Sequence, residues 1–329
     1  MRQTFAALAL AGLTAGAADA QCGGTSLFDT LTAEEAAYLT DAAAKTPHAN
    51  GLYWSAQDGD TTAIIVGTIH VADPRLDPMI AAIGPLVSEV DELYLEATPV
   101  EENEMEQALI ADPGQLLITE GPTLPEMLDE ETWQTLAAAA SARQVPPFMA
   151  SQMKPWYLSM ALGTPSCMIE LLASGERGLD HMLMAEAEAA GTPMRALEPW
   201  NTLIRLFDES PIDVQLDLLR FSTVPDDLAE QSMVAMMDGY FEGRTAEIWE
   251  LSAIVSKRLN QGDDAEAKAI FDLYETELLE TRNRNWVDVL EKAGPGNIMV
   301  AVGAGHLPGD TGLLRLLEQA GWTVEPYEG

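Results

Sequence analysis

Positive charge is scarce in this sequence. Lys and Arg number 17 against 53 Asp and Glu, for a formal net charge of −36. That balance excludes nucleic acid as a partner, because phosphate binding needs a basic face, and it disfavours an anionic membrane surface for the same reason. Cysteine is nearly absent, with Cys22 and Cys167 alone. No CxxC occurs, so a thiolate metal site is excluded. HExxH, G-x-S-x-G, P-loop and GxGxxG motifs are also missing, which removes several hydrolase and nucleotide-binding classes. Histidine is limited to four residues. No apolar run is long enough for a good membrane span.

What is present reads as a globular protein, with 47% hydrophobic and 21% charged residues over 329 positions. The opening MRQTFAALALAGLTAGAADA has a basic start, an apolar stretch and an Ala-x-Ala end. This predicts a secretory signal peptide over residues 1–20, cleaved after Ala20, and a periplasmic or secreted mature chain. In an exported chain, two cysteines predict one disulfide, Cys22–Cys167.

Strand signals cluster at both ends of the chain. GLYWSAQDGDTTAIIVGTIH reads as a hairpin, with strands near Leu52–Ala56 and Thr62–Val66 about a turn at Asp58-Gly59-Asp60. A helical DPMIAAIGPLVSEV and a strand Leu93–Ala97 follow, the order of a parallel βαβ unit. RGLDHMLMAEAEAAG predicts a helix stopped by Gly191, and a strand follows at 194–198. NIMVAVGAGH returns to strand, then a helix and a last strand WTVEPY. Helix dominates between about 101 and 293, with breaks at prolines, Pro211 and Pro225 among them, and at Gly262. The expected fold is α/β: a mixed, largely parallel sheet built from both ends of residues 21–329, carrying a large helical insertion as a subdomain of one domain.

Two of the four histidines share one context. Apolar runs end in Gly67-Thr68-Ile69-His70 and in Gly303-Ala304-Gly305-His306. A run buried on both faces belongs to a parallel sheet, and residues just past its end enter the crevice where α/β folds bind ligands. Strands lying side by side would bring His70 and His306 together. Two imidazoles and a carboxylate suit a divalent metal with open positions, a hydrolytic arrangement. Glu96, ending its strand at the same edge, is the expected third ligand; Glu198 is the second choice. A single histidine after a strand is more often a plain hydrogen-bonding residue, so the pairing carries this reading. His48, in a TPHANG turn, reads as solvated, and His181 as a surface or packing residue. The MVAMMDGYF tract reads as core.

Six segments in order, LYWSAQDG with VGTIHVADPRL, LYLEATP, SQMKPWYLSM, ERGLDHMLMAEAEAAGTPMRALEPW, TRNRNWVDVL and VGAGHLPGDTGLLRLLEQAGWTVEPY, resemble the TraB/GumN family of exported bacterial proteins, relatives of the Tiki metalloproteases. The resemblance covers nearly all of the mature chain. It implies a fold shared with Tiki-like and erythromycin-esterase-like proteins and metal-dependent peptide cleavage. His70, His306 and Glu96 would hold a divalent ion (Mn, Co or Zn). Arg282 and Asn283 fall on the family's Arg-Asn pair; Arg282 would hold a substrate carboxylate or an oxyanion, or else pair structurally with Glu96 or Glu198. The family often has Glu before that pair, and this chain has Thr281. Lys154-Pro155-Trp156 reads as a helix entry, and Asp180 as a structural hydrogen-bonding residue. The expected partner is a peptide or small-molecule substrate; the alternative is a non-catalytic protein that binds peptide, haem or metal.

Overall fold

The computed structural model describes residues 22–259, 272–273 and 275–327; the signal segment and the Gly262 break expected from the sequence lie outside them. Six strands form one sheet: β1 Tyr53–Asp58, β2 Thr61–Thr68, β3 Glu92–Leu95, β4 Met194–Ala196, β5 Gly296–Gly303 and β6 Thr323–Pro326. Their order is β4-β3-β5-β2-β1-β6. The first four in that order are mutually parallel, and β1 runs antiparallel to both β2 and β6. This is the mixed, largely parallel α/β sheet that the pattern predicts.

The β1–β2 hairpin turns where expected, with Gly59 at φ +55° supplying the left-handed residue of a tight turn. The βαβ unit differs from expectation in one respect. The chain passes from β2 through the helix Leu76–Ile83 to β3, but β3 does not neighbour β2, because β5 lies between them. A strand from the far end of the chain fills the centre, where both faces must be apolar. NIMVAVG meets that demand and is buried from Ile298 to Val302.

Alternation along each strand divides the core. Ile65, Tyr94, Val300 and Val302 pack on one face with Trp286, Leu313 and Leu317, from the helices Thr281–Leu290 and Leu313–Ala320. Val66, Leu93, Leu95 and Met299 pack on the other with Leu76, Leu179 and Leu183. The helix Leu179–Ala190 stops at Gly191 in the left-handed region, φ +73°, as its sequence predicts. A separate helical core holds Leu124, Trp133, Leu136, Leu158 and Leu219. Pro211 and Pro225 stand as N-caps of the helices Ile212–Phe221 and Asp226–Phe241, so prolines do punctuate the helical tract. Lys154 caps the helix Pro155–Gly163 and its Nζ meets Asp208 at 2.5 Å.

Cys22 and Cys167 are joined in a disulfide. Among the described residues, no helix is long and apolar enough to cross a membrane.

Candidate functional site

The parallel strands β2, β3, β4 and β5 all finish at one edge of the sheet. Their next residues place His70, Glu96, Glu198 and His306 there. In register, Gly67 pairs with Val302 and Thr68 with Gly303, so the two Gly-x-x-His segments leave the sheet side by side. Gly303 is the meeting point. A Cβ built on it would lie 3.2 Å from Glu96 Oε1, 3.7 Å from His306 Cδ2 and 3.9 Å from His70 Nε2. Its own N–H donates to Glu96 Oε1 at 2.7 Å. Glycine keeps that space open to all three side chains.

Each imidazole is fixed from behind. His306 is buried, 6% exposed. Arg282 Nη1 lies 3.1 Å from its Nε2, and a guanidinium can only donate, so Nε2 is the acceptor. Nδ1 then carries the proton and donates to Asn283 Oδ1 at 2.7 Å. Asn283 is oriented in turn, its Nδ2 donating to the carbonyls of His306 and Thr311. Burial pushes His306 down to about 3, which keeps the ring neutral. His70 is more open, its side chain 62% exposed. Its Nδ1 donates to Asp180 Oδ2 at 3.1 Å, and that bond is the main reason its pKa is raised to about 9.

Asp180 is thus a structural hydrogen-bonding residue, as its segment predicts. Its Oδ2 also lies 3.0 Å from His181 Nδ1, and His181 Nε2 reaches Glu102 at 2.8 Å. Burial would raise the Asp180 pKa, but the imidazoles of His181 and His70 beside it hold it well below the usual range. Its Oδ1 is buried without a partner, as is Thr68 Oγ1 in the first Gly-x-x-His segment.

Arg282 stands at the centre, 5% exposed. Its Nε and Nη2 grip Glu198 at 2.9 and 2.7 Å, and Nη2 also meets Glu96 at 2.5 Å. Nη1 bonds the Leu278 carbonyl at 3.1 Å as well as His306. All five of its donors are thus committed. Burial opposes the Arg282 charge, and Glu198 and Glu96 outweigh it. For Glu96, burial pushes upward, yet neighbouring positive charge holds the carboxyl at about 2. Trp286 closes the floor: its Nε1 donates to Glu198 at 3.1 Å and its ring lies 4.3 Å from that of His306.

All the residues expected at the site thus lie together: His70, His306, Glu96, Arg282 and Asn283. Glu198 joins them as the bidentate partner of Arg282. Thr281 is exposed on the helix Thr281–Leu290, outside the cluster. His48 is corrected: it is not solvated but packs edge-on against Trp54 at 4.9 Å and reaches Glu318 at 3.1 Å. Gly178 escapes sequence reading altogether. A Cβ there would fall 1.9 Å from the Ile69 carbonyl and 2.6 Å from His70 Cα. Only glycine lets the helix carrying Asp180 approach His70 so closely.

Imidazole and carboxylate are donor types that divalent cations take. Both rings are held at Nδ1 by an oxygen, which directs Nε2 outward, the pattern by which outer groups orient metal-binding histidines. Two imidazoles and a carboxylate surround one open point at Gly303. Among the described residues, however, no group of three or more His, Cys, Asp or Glu is already arranged to hold an ion. Arg282 Nη1 occupies His306 Nε2, and Arg282 Nη2 and the Gly303 N–H occupy the Glu96 carboxylate, so two of the three donors already face protein partners.

Two curated relatives, from Shigella flexneri and from Escherichia coli (strain K12), are each 24% identical over 272 residues, spanning 82% of this chain and 94% of the relative. Both carry the name "Uncharacterized protein YbaP". No solved structure matches. The sequence profile of the TraB/PrgY/gumN family matches residues 52–326, from the first strand through the last, and the chain belongs to that family.

Proposed function

We propose that this protein is an exported, periplasmic hydrolase, most directly a peptidase, that holds a divalent ion with His70, His306 and Glu96. The observation that carries this reading is the matched orientation of the two rings. His70 is tied at Nδ1 to Asp180 and His306 at Nδ1 to Asn283, while Glu96 and both rings border the space at Gly303. When bound, such an ion supplies Lewis-acid polarisation of water and of a scissile carbonyl. The remaining work falls to the chain. Asn283 keeps the His306 proton on Nδ1. Asp180 holds His70 and takes part of its positive charge. Arg282, freed at Nη1, presents a donor to the negative charge that develops on a carbonyl oxygen.

A second reading is capture of a metal or peptide without turnover. It is favoured by the complete commitment of Arg282, whose donors go to Glu96, Glu198, His306 and the Leu278 carbonyl.

The deciding experiment is metal analysis of the protein from Gln21 onward after exposure to Mn²⁺, Co²⁺ or Zn²⁺, wild type against His70→Ala, with peptide-library cleavage run in parallel. One ion per chain in the wild type and its loss in the variant are expected, together with cleavage abolished by chelator. Equal metal content in the two proteins would sink the ligand assignment. Metal uptake with no cleavage of any peptide would select the second reading.

A further inference from the structure

We propose that the helical half carries a second binding site, which takes a single aliphatic chain on an uncharged head group, such as a monoacylglycerol. The site is a cavity of about 590 Å³ among the helices Pro155–Gly163, Ile212–Phe221, Asp226–Phe241 and Thr245–Arg258. None of the described residues that line it is charged, in a chain where 53 of 329 residues are acidic. The volume lies within the range of roughly 300–1,000 Å³ that encloses one drug-sized ligand.

The lining identifies the ligand. Leu218, Phe221, Leu251 and Val255 supply apolar walls, and Met160, Met233 and Met236 add flexible thioethers that fit an irregular chain. Four of the five described serines that line it have their hydroxyls in use. Ser159, Ser222, Ser232 and Ser252 each give the hydroxyl proton to a carbonyl of their own chain, those of Pro155, Leu219, Leu228 and Trp249. A ligand inside would meet mainly methyls, methylenes and rings, with no cation among the described lining residues to hold a carboxylate. The formal charge of −36 further disfavours an anionic head, so a neutral head group is required. Met160, half exposed, places the cavity's rim at the surface.

The cavity also neighbours the site at the sheet edge. Leu278 lines it with its side chain and accepts a hydrogen bond from Arg282 Nη1 with its carbonyl. The proposal nevertheless stands without any assignment of catalysis, since no histidine or carboxylate of that site lines the cavity.

The test is displacement of the uncharged fluorophore N-phenyl-1-naphthylamine from the wild-type protein by decanoyl, dodecanoyl and tetradecanoyl monoacylglycerols, each below its micellar concentration. Burial of a methylene strengthens binding about fourfold, so each two-carbon step is expected to tighten binding about fifteenfold until the cavity is full. Ala229→Phe and Ser252→Phe, which place a ring inside the cavity, are expected to weaken binding tenfold or more. Met236→Ala, which enlarges it, is expected to move the preference to longer chains and serves if the filled variants do not fold. The His70→Ala, His306→Ala double variant is expected to bind like wild type, which separates this site from the proposed metal site. Affinity independent of chain length, undiminished binding in folded filled variants, or equal competition by a two-chain diacylglycerol would each overturn the proposal.

Discussion

Arg282 Nη1 donates to His306 Nε2 at 3.1 Å. The imidazole lone pair that a metal ion would use is therefore in the keeping of a guanidinium, itself anchored by Glu96 and Glu198. The guanidinium stands where the proposed ion would bind, and the consequences of removing either ring support or the guanidinium can be stated in advance.

Asn283→Ala removes the acceptor for the His306 Nδ1 proton. A buried N–H is left without a partner, at about 1–3 kcal/mol. The ring also loses the group that selects its tautomer. We expect a lower denaturation midpoint with an unchanged m-value, and metal affinity reduced about 10–100-fold, the usual effect of losing an outer-shell partner. Urea unfolding and metal titration on the same variant measure the two effects separately.

His70 should titrate near 9 in the metal-free protein, because Asp180 holds the protonated form. A folded pKa above the ordinary value of 6.5 means that the pair stabilises the fold fully below pH 6.5. That contribution disappears as pH rises through about 9. Asp180→Asn should bring the His70 midpoint down toward its ordinary value, read from imidazole proton shifts by NMR. Metal binding must displace that proton, so affinity should climb with pH up to the same midpoint. A His70 midpoint unmoved in the variant would remove Asp180 from its assigned role.

The architecture was legible in the sequence wherever periodicity and turn chemistry agree. The hairpin, the helix closed by Gly191 and the apolar strand before His306 all stand as read. The order of strands was harder, because a βαβ pattern does not say whether a distant strand will enter between its two members. β5 does enter, and this brings Gly303 among His70, His306 and Glu96. Gathering those residues at one edge was readable from where their strands end. The bonds behind them were not: the Asp180 contact depends on how closely a helix approaches a loop, which is decided by a missing side chain at Gly178. His48 was misread because its turn looks solvated, while the ring it packs on, Trp54, becomes its neighbour only after folding.

Gly178→Ala tests that approach. The added methyl would collide with the Ile69 carbonyl and His70 Cα, which are backbone atoms that cannot rotate away. We expect a loss of about 1–3 kcal/mol or more and a downward shift of the His70 pKa as Asp180 is pushed off. Ser174→Ala, in the neighbouring helix Ile169–Ser174, serves as a control that should leave the pKa in place.

The disulfide closes a loop across a sequence separation of 145. Loops of that size restrict the unfolded chain, and a crosslink of this kind contributes about 2–4 kcal/mol. The Cys22→Ser, Cys167→Ser double variant should melt at a lower temperature than the oxidised wild type, and reductant should lower the wild type alone. A melting temperature indifferent to both changes would show that the bond adds nothing.

Arg282→Met is the sharpest test of the centre. It leaves Glu96 and Glu198 facing each other with no cation between them, and breaking a buried pair from one side costs about 3–5 kcal/mol. The penalty should depend on pH in a defined direction. In the wild type Glu96 is depressed from 4.5 to about 2, so its stabilising contribution is complete above pH 4.5 and is lost as pH falls toward 2. The variant lacks the part of that contribution that Arg282 supplies, and its carboxylates accept protons more readily. The stability gap between the two proteins should therefore be widest near neutral pH and shrink through the acid range. A divalent ion should close part of the gap at neutral pH, because it would restore positive charge between the carboxylates and gain the freed His306 Nε2. Thermal unfolding of both proteins from pH 7 down to pH 3, with and without Mn²⁺, measures this. A gap that stays constant with pH would mean that the guanidinium serves as packing and that its charge does not organise the site.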